Sequence, residues 1–168
     1  AMEIERLRMV VQLMMGEGQV AVCPMPKYQP YYNENIVANT YGPDKAKAML
    51  EEAGFDCVKE YLMLVPKGNQ VREQSALLIQ QDLQKIGVKV KIETYDFTTL
   101  LQMLREGKED FGLLGGGSNI DPNESSVIVN PHHPRNSSPL TDPKWFALAD
   151  EGASKVSTEE RKTWNDAS

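Results

Sequence analysis

The chain has 168 residues, 40% of them hydrophobic and 25% charged, with 18 Lys and Arg against 24 Asp and Glu for a formal charge of −6. These proportions exclude wholesale disorder, and no stretch approaches the ~20 consecutive apolar residues of a membrane-spanning helix. No basic tract clusters into a stripe that would track phosphates, so nucleic acid is excluded as a partner.

In chain order, Glu3 to Gly16 is the first predicted helix, because Ile4, Leu7, Val11 and Met14 recur at three- and four-residue spacing. Gln19 to Tyr41 follows, with Pro24, Pro26, Pro30 and the tyrosines at 28, 31, 32 and 41. Proline fixes φ and removes amide donors, so this segment is expected to be extended and irregular, with its aromatics packed on the domain. Pro43 suits the first position of a helix running to Ala53, with Ala46, Met49, Leu50 and Ala53 on its apolar face and Gly54 as its stop. Val58 to Val65 reads as a strand, broken by Pro66, Lys67 and Gly68.

Asn69 to Ile86 carries Ala76, Ile79, Leu83 and Ile86 in a helical stripe that Gly87 ends. Val88 to Tyr95 alternates, with Val88, Val90 and Ile92 on one face and Lys89, Lys91 and Glu93 on the other, the mark of a half-exposed strand. Asp96 is placed to cap a helix whose stripe is Phe97, Leu100, Leu101 and Leu104 and whose stop is Gly107. Asp110 to Leu114 is the third strand. A loop-rich stretch leads to two closing helices, Pro143 to Val156 and Ser157 to Ala167, the second opened by Ser157 and Glu160 at capping-box spacing. Strands alternating with helices of this length imply an α/β fold with a mostly parallel sheet and right-handed crossovers.

The chemistry-bearing residues are few. Gly115, Gly116, Gly117 and Ser118 follow the third strand, where nucleotide-binding loops also sit. Three readings stay open there: a permissive turn, a ligand-facing loop beyond the carboxyl ends of the strands, and a phosphate cradle, although no helical periodicity follows to supply amides to an anion. His132 and His133 lie among Pro131, Pro134 and Asn136 and read as a solvated loop, with no nucleophile or orienting acid to make a catalytic set. Cys23 and Cys57 read as two separate thiols, too few for a zinc site. The glycosylation-like triplets at Asn123 and Asn136 are patterns common by chance, and Trp145 and Trp164 read as packing residues. No metal or organic cofactor is implied.

The motifs in series carry a resemblance. Tyr41-Gly-Pro-Asp-Lys-Ala-Lys-Ala-Met-Leu-Glu-Glu-Ala-Gly-Phe55, Gly68-Asn-Gln-Val-Arg72 and Ile79-Gln80 through Leu83-Gln-Lys-Ile-Gly-Val-Lys-Val-Lys-Ile92 come first. The Leu100 to Phe111 stretch, Asp121-Pro122, Asp142-Pro143, Glu159-Glu-Arg161 and the opening Glu5-Arg6 complete the series. In this order they resemble the family 5 extracellular solute-binding proteins of ABC-type importers, which carry peptides, nickel and some oligosaccharides.

The resemblance implies a periplasmic-binding-protein-like II fold. It further implies that residues 3–168 form one α/β lobe, the carboxy-terminal lobe or domain III, of a two-lobed protein that closes over its solute. The expected location is periplasmic or extracellular, membrane-anchored on the outer side of the cytoplasmic membrane. The expected partners are a small solute (peptide, sugar or metal chelate) and the importer's membrane subunits. Both ends of the chain read as cut. The site is expected on Gly115, Gly116, Gly117, Ser118 and Asn119, with Asp121 holding that loop and Arg72 pairing with an anionic group of the ligand.

Peptide-binding members carry Gly-Trp-x-x-Asp before the Asp-Pro pair. In this chain Gly115 stands at the Trp position and Ser118 at the Asp position, so the acid that captures a peptide's amino group is replaced by a neutral hydroxyl. The alternative reading is a small α/β enzyme or nucleotide-binding domain using the glycine loop.

Overall fold

The structure, a computed structural model, describes residues 2, 4–23, 25–115, 143–155 and 157–167. They fall into two compact units, one of residues 1–20 and 38–115, the other of residues 21–37 and 116–168.

The first unit is built on a three-stranded sheet of β1 (Glu60–Pro66), β2 (Lys89–Tyr95) and β3 (Phe111–Gly112), ordered β2-β1-β3. Both pairings are parallel, with Tyr61 opposite Val90 and Met63 opposite both Ile92 and Phe111. The central strand is apolar on both faces, as a strand covered from two sides must be. Its odd positions, Tyr61, Met63 and Val65, join Ala76, Leu83, Ile86, Val88 and Val90 in one core. Ala46 of α2 (Pro43–Glu52) closes that core, and Ala76 and Leu83 belong to α3 (Gln70–Lys85). Leu64 points the other way, onto Leu100 and Leu104 of α4 (Phe97–Arg105).

The α3 and α4 helices therefore lie on opposite faces. The chain steps from β1 to β2 in one direction and from β2 back past β1 to β3 in the other, so crossovers of one hand place successive helices on opposite sides. Gly87, at φ 88°, turns the chain from α3 into β2 in the left-handed region that glycine enters without strain. Asp96 caps α4, its Oδ1 accepting from the Thr98 and Thr99 N–H groups at 3.1 and 3.0 Å. The expected alternation of the second strand is observed: Val88 and Val90 are buried, Lys89 and Lys91 exposed.

Three expectations are corrected. The first helix, α1, spans Arg6–Met14, and Met15, not Gly16, takes the first left-handed position, at φ 52°. Phe97, expected in the stripe of α4, is the first residue of that helix and is 52% exposed, outside the cluster of Leu64, Leu100 and Leu104. The third strand is two residues long rather than five, although the Asp110 N–H to Leu62 O and Leu113 N–H to Leu64 O bonds (both 3.0 Å) extend its contact with β1.

α1 is joined to α3 by a node absent from the sequence reading. Asp82 has no exposed surface, and its carboxylate accepts from Arg8 Nη2 (2.7 Å), Lys85 Nζ (2.8 Å) and the Glu5 N–H (3.0 Å). Burial opposes its charged form, but the Lys85 and Glu5 hydrogen bonds and the Arg8 charge outweigh it and hold the carboxyl below its ordinary 3.8.

In the second unit, Met25 and Tyr31 are buried whereas Tyr28 is 82% exposed, so only part of the proline-rich segment is packed. α5 (Pro143–Ser154) and α6 (Thr158–Ala167) close the chain. The capping box is present: the Ser157 N–H donates to Glu160 Oε2 and the Glu160 N–H to Ser157 Oγ, both at 3.1 Å. The side chains of Trp145 and Trp164 lie outside the described part.

Candidate functional site

In open parallel sheets, ligands bind beyond the carboxyl ends of the strands, where loops and helix N-termini gather. Here those ends carry two of the expected site residues. After β1 the chain turns at Gly68, whose N–H donates to Glu73 Oε1 at 2.8 Å. Asn69 caps α3, its Oδ1 accepting from the Arg72 N–H at 3.0 Å. These two bonds fix the first turn of α3 and the place from which the half-buried Arg72 extends. The Lys67 N–H to Tyr95 O bond (2.7 Å) ties the same loop to the end of β2.

Arg72 reaches the loop that leaves β3. A Cβ built on Gly115 would collide with Arg72 Nη2 and stand 3.1 Å from both Cζ and Nε. The guanidinium thus lies directly against the glycine, in space that any side chain at 115 would claim. The described structure brings together Arg72 and Gly115, 43 residues apart and both among the expected site residues. The other expected site residues, Gly116, Gly117, Ser118, Asn119 and Asp121, lie outside the described residues, as do His132 and His133.

Elsewhere the polar groups serve the fold. At the amino end of β1, Asp110 accepts from Lys59 Nζ at 2.6 Å and from the Leu62 N–H at 2.9 Å, and the Lys59 bond lowers the pKa of its carboxyl. Lys59 Nζ also sits 4.6 Å from the centre of the Tyr61 ring, which stacks on Phe55 at 4.9 Å. In the second unit a polar concavity of about 320 Å³ opens between Lys27, Tyr32, Glu34 and Lys162, with Lys162 Nζ donating to Tyr32 O. Among the described residues no group of three or more His, Cys, Asp or Glu side chains is placed to hold a metal ion, and Cys23 and Cys57 are free thiols. No described helix is long and apolar enough to cross a membrane.

A parallel α/β sheet with helices on both faces is consistent with the periplasmic-binding-protein-like II fold. The chain belongs to the bacterial extracellular solute-binding proteins, family 5, whose "Middle" family description matches residues 1–138. It is 34% identical over 112 residues to the dipeptide-binding protein of Escherichia coli, covering 64% of this chain and 21% of that protein. It is 29% identical over 170 residues to heme-binding protein A of Haemophilus influenzae, covering 94% of this chain and 30% of that protein. The oligopeptide-binding protein AppA of Bacillus subtilis, solved with a nonapeptide, superposes with a TM-score of 0.84. That match covers 99% of this chain and 36% of AppA at 22% identity, and it carries the fold alone. The chain thus spans between a fifth and a little over a third of the length of these relatives.

Proposed function

We propose that this chain is one lobe, residues 3–168, of the solute-capturing component of an ABC-type importer. The lobe closes against a second lobe over a peptide or another small solute, without catalysis. One observation carries this reading: a single extracellular solute-binding family matches residues 1–138. Similar proteins are named for dipeptides and for heme, and the peptide reading draws on the former. The solute would meet the loop of Gly115 to Asn119, steadied by Asp121, with Arg72 beside it. The parent protein would stand outside the cytoplasmic membrane, anchored to its outer side, and hand its solute to the importer's membrane subunits.

Calorimetric titration of the full-length gene product with short peptides, heme and ATP tests this. The expected result is saturable binding of a peptide or another small solute and no response to ATP. Tight ATP binding by the 168-residue chain would sink the proposal.

A further inference from the structure

The concavity of about 320 Å³ in the second unit is used by no part of the solute-capture reading. Its wall joins two places far apart in the chain, the segment of residues 27–35 and Lys162 of α6. The charged side chains that line it are two cations, Lys27 and Lys162, and one anion, Glu34. The local sign is therefore positive, in a chain whose formal charge is −6. Lysine seldom gives up water, yet Lys162 is half-buried, and its Nζ donates to the Tyr32 carbonyl at 2.8 Å. A carbonyl carries no net charge, so that bond anchors the ammonium without neutralising it.

The rest of the wall is held by short-range bonds. The Gln29 N–H donates to Pro26 O at 3.0 Å and the Tyr32 N–H to Gln29 O at 3.1 Å. The Asn35 N–H donates to Asn33 Oδ1 at 2.9 Å, and Pro30 adds a fixed φ. Gln29 itself is 6% exposed, a buried amide in the lining. A wall already ordered loses little freedom when a ligand enters. Small-molecule sites run from about 300 to 1,000 Å³, so this volume suits a guest at the small end of that range.

We propose that this concavity is a binding site for a small molecule that bears an oxyanion, a carboxylate or a phosphate, held between Lys27 and Lys162. Each lysine offers three donors on a compact charge, which serves either oxyanion. Glu34 opposes the guest by like charge and so tunes the affinity downward. None of the lining residues is among those expected to meet the transported solute, and the inference stands without the solute-capture reading.

The test is an NMR titration of the 168-residue chain at constant ionic strength, which keeps general screening fixed. The probes are succinate, inorganic phosphate and neutral succinamide. Succinate, phosphate or both should give saturable shifts confined to residues 27–35 and Lys162, and succinamide none. A response to succinate alone identifies an organic carboxylate as the guest, and one to phosphate alone a phosphate. Lys27 is exposed and Lys162 also ties α6 to Tyr32, so Lys27→Ala is the cleaner variant. It should weaken binding about fivefold, with Lys27→Arg keeping most of the affinity. Glu34→Gln should tighten binding about threefold, a gain that a purely structural role for these residues does not give. The inference is overturned if the shifts fail to saturate or spread evenly over the chain, or if succinamide acts like succinate. It is equally overturned if Lys27→Ala and Glu34→Gln leave the affinity unchanged.

Discussion

Asp82 shows how far one side chain's role depends on what the fold brings to it. In sequence it sits one residue before Leu83 of the buried stripe, as an ordinary charge on a helix. In the structure it is fully buried and holds the start of α1 through Arg8 and the Glu5 N–H. Asp82→Asn keeps the shape and removes the charge. The variant should lose about 2 kcal/mol in urea denaturation, because Arg8 and Lys85 lose a charged acceptor but still reach water. The pH dependence has a fixed sign. The folded pKa is below the unfolded value, so the contribution is complete above the ordinary 3.8 and is lost as pH falls through the folded value. Comparing stability at about pH 7 and about pH 3, the wild type should lose more than Asp82→Asn.

At the scale of elements, the sheet faces make two separate demands. Gly112 of β3 has no room for a methyl group: a Cβ there would stand 2.7 Å from Leu104 Cδ2, inside the small core under α4. Gly112→Ala should cost about 1–3 kcal/mol by overpacking, seen as a lower denaturation midpoint with an unchanged m-value. Leu100 is fully buried in that core, so Leu100→Ala should cost about 2–5 kcal/mol, lost transfer energy plus the cavity left behind. If Leu100→Ala proves neutral, the packing of α4 on β1 is not what holds that face.

The elements were the most legible part of the sequence. The spacing of Ala76, Ile79, Leu83 and Ile86 is a local property, and so are the glycine at 87 and the Asp96 cap, so reading them needs no knowledge of distant residues. The third strand was less legible. Its pairing depends on β1 as a template, and Phe111-Gly112 opposite Met63-Leu64 is decided by register rather than by its own composition.

For the molecule as a whole, β1 is the member that both cores share, with Met63 and Val65 on one face and Leu64 on the other. Hydrogen exchange should therefore be slowest at the β1 amides. The turn-rich segment of residues 25–37, which holds no helix or strand, should exchange faster than β1. Exchange of β1 as fast as that segment would contradict the two-faced core. The candidate site was legible only as fragments. The motif series grouped the glycine loop and Arg72 in one expected site, but their direct contact is not written in either segment.

The sequence by itself determined the class of this protein: the helix and strand periods, their stops and caps, and a motif series that places it among the family 5 solute-binding proteins. Those properties are written in neighbouring residues, within a turn or a strand of one another. Only the tertiary structure decided that Asp82 is buried, that Gly112 must stay small and that Arg72 lies against Gly115. Each depends on contact between residues far apart in the chain, which the sheet order β2-β1-β3 and the opposite placement of α3 and α4 create.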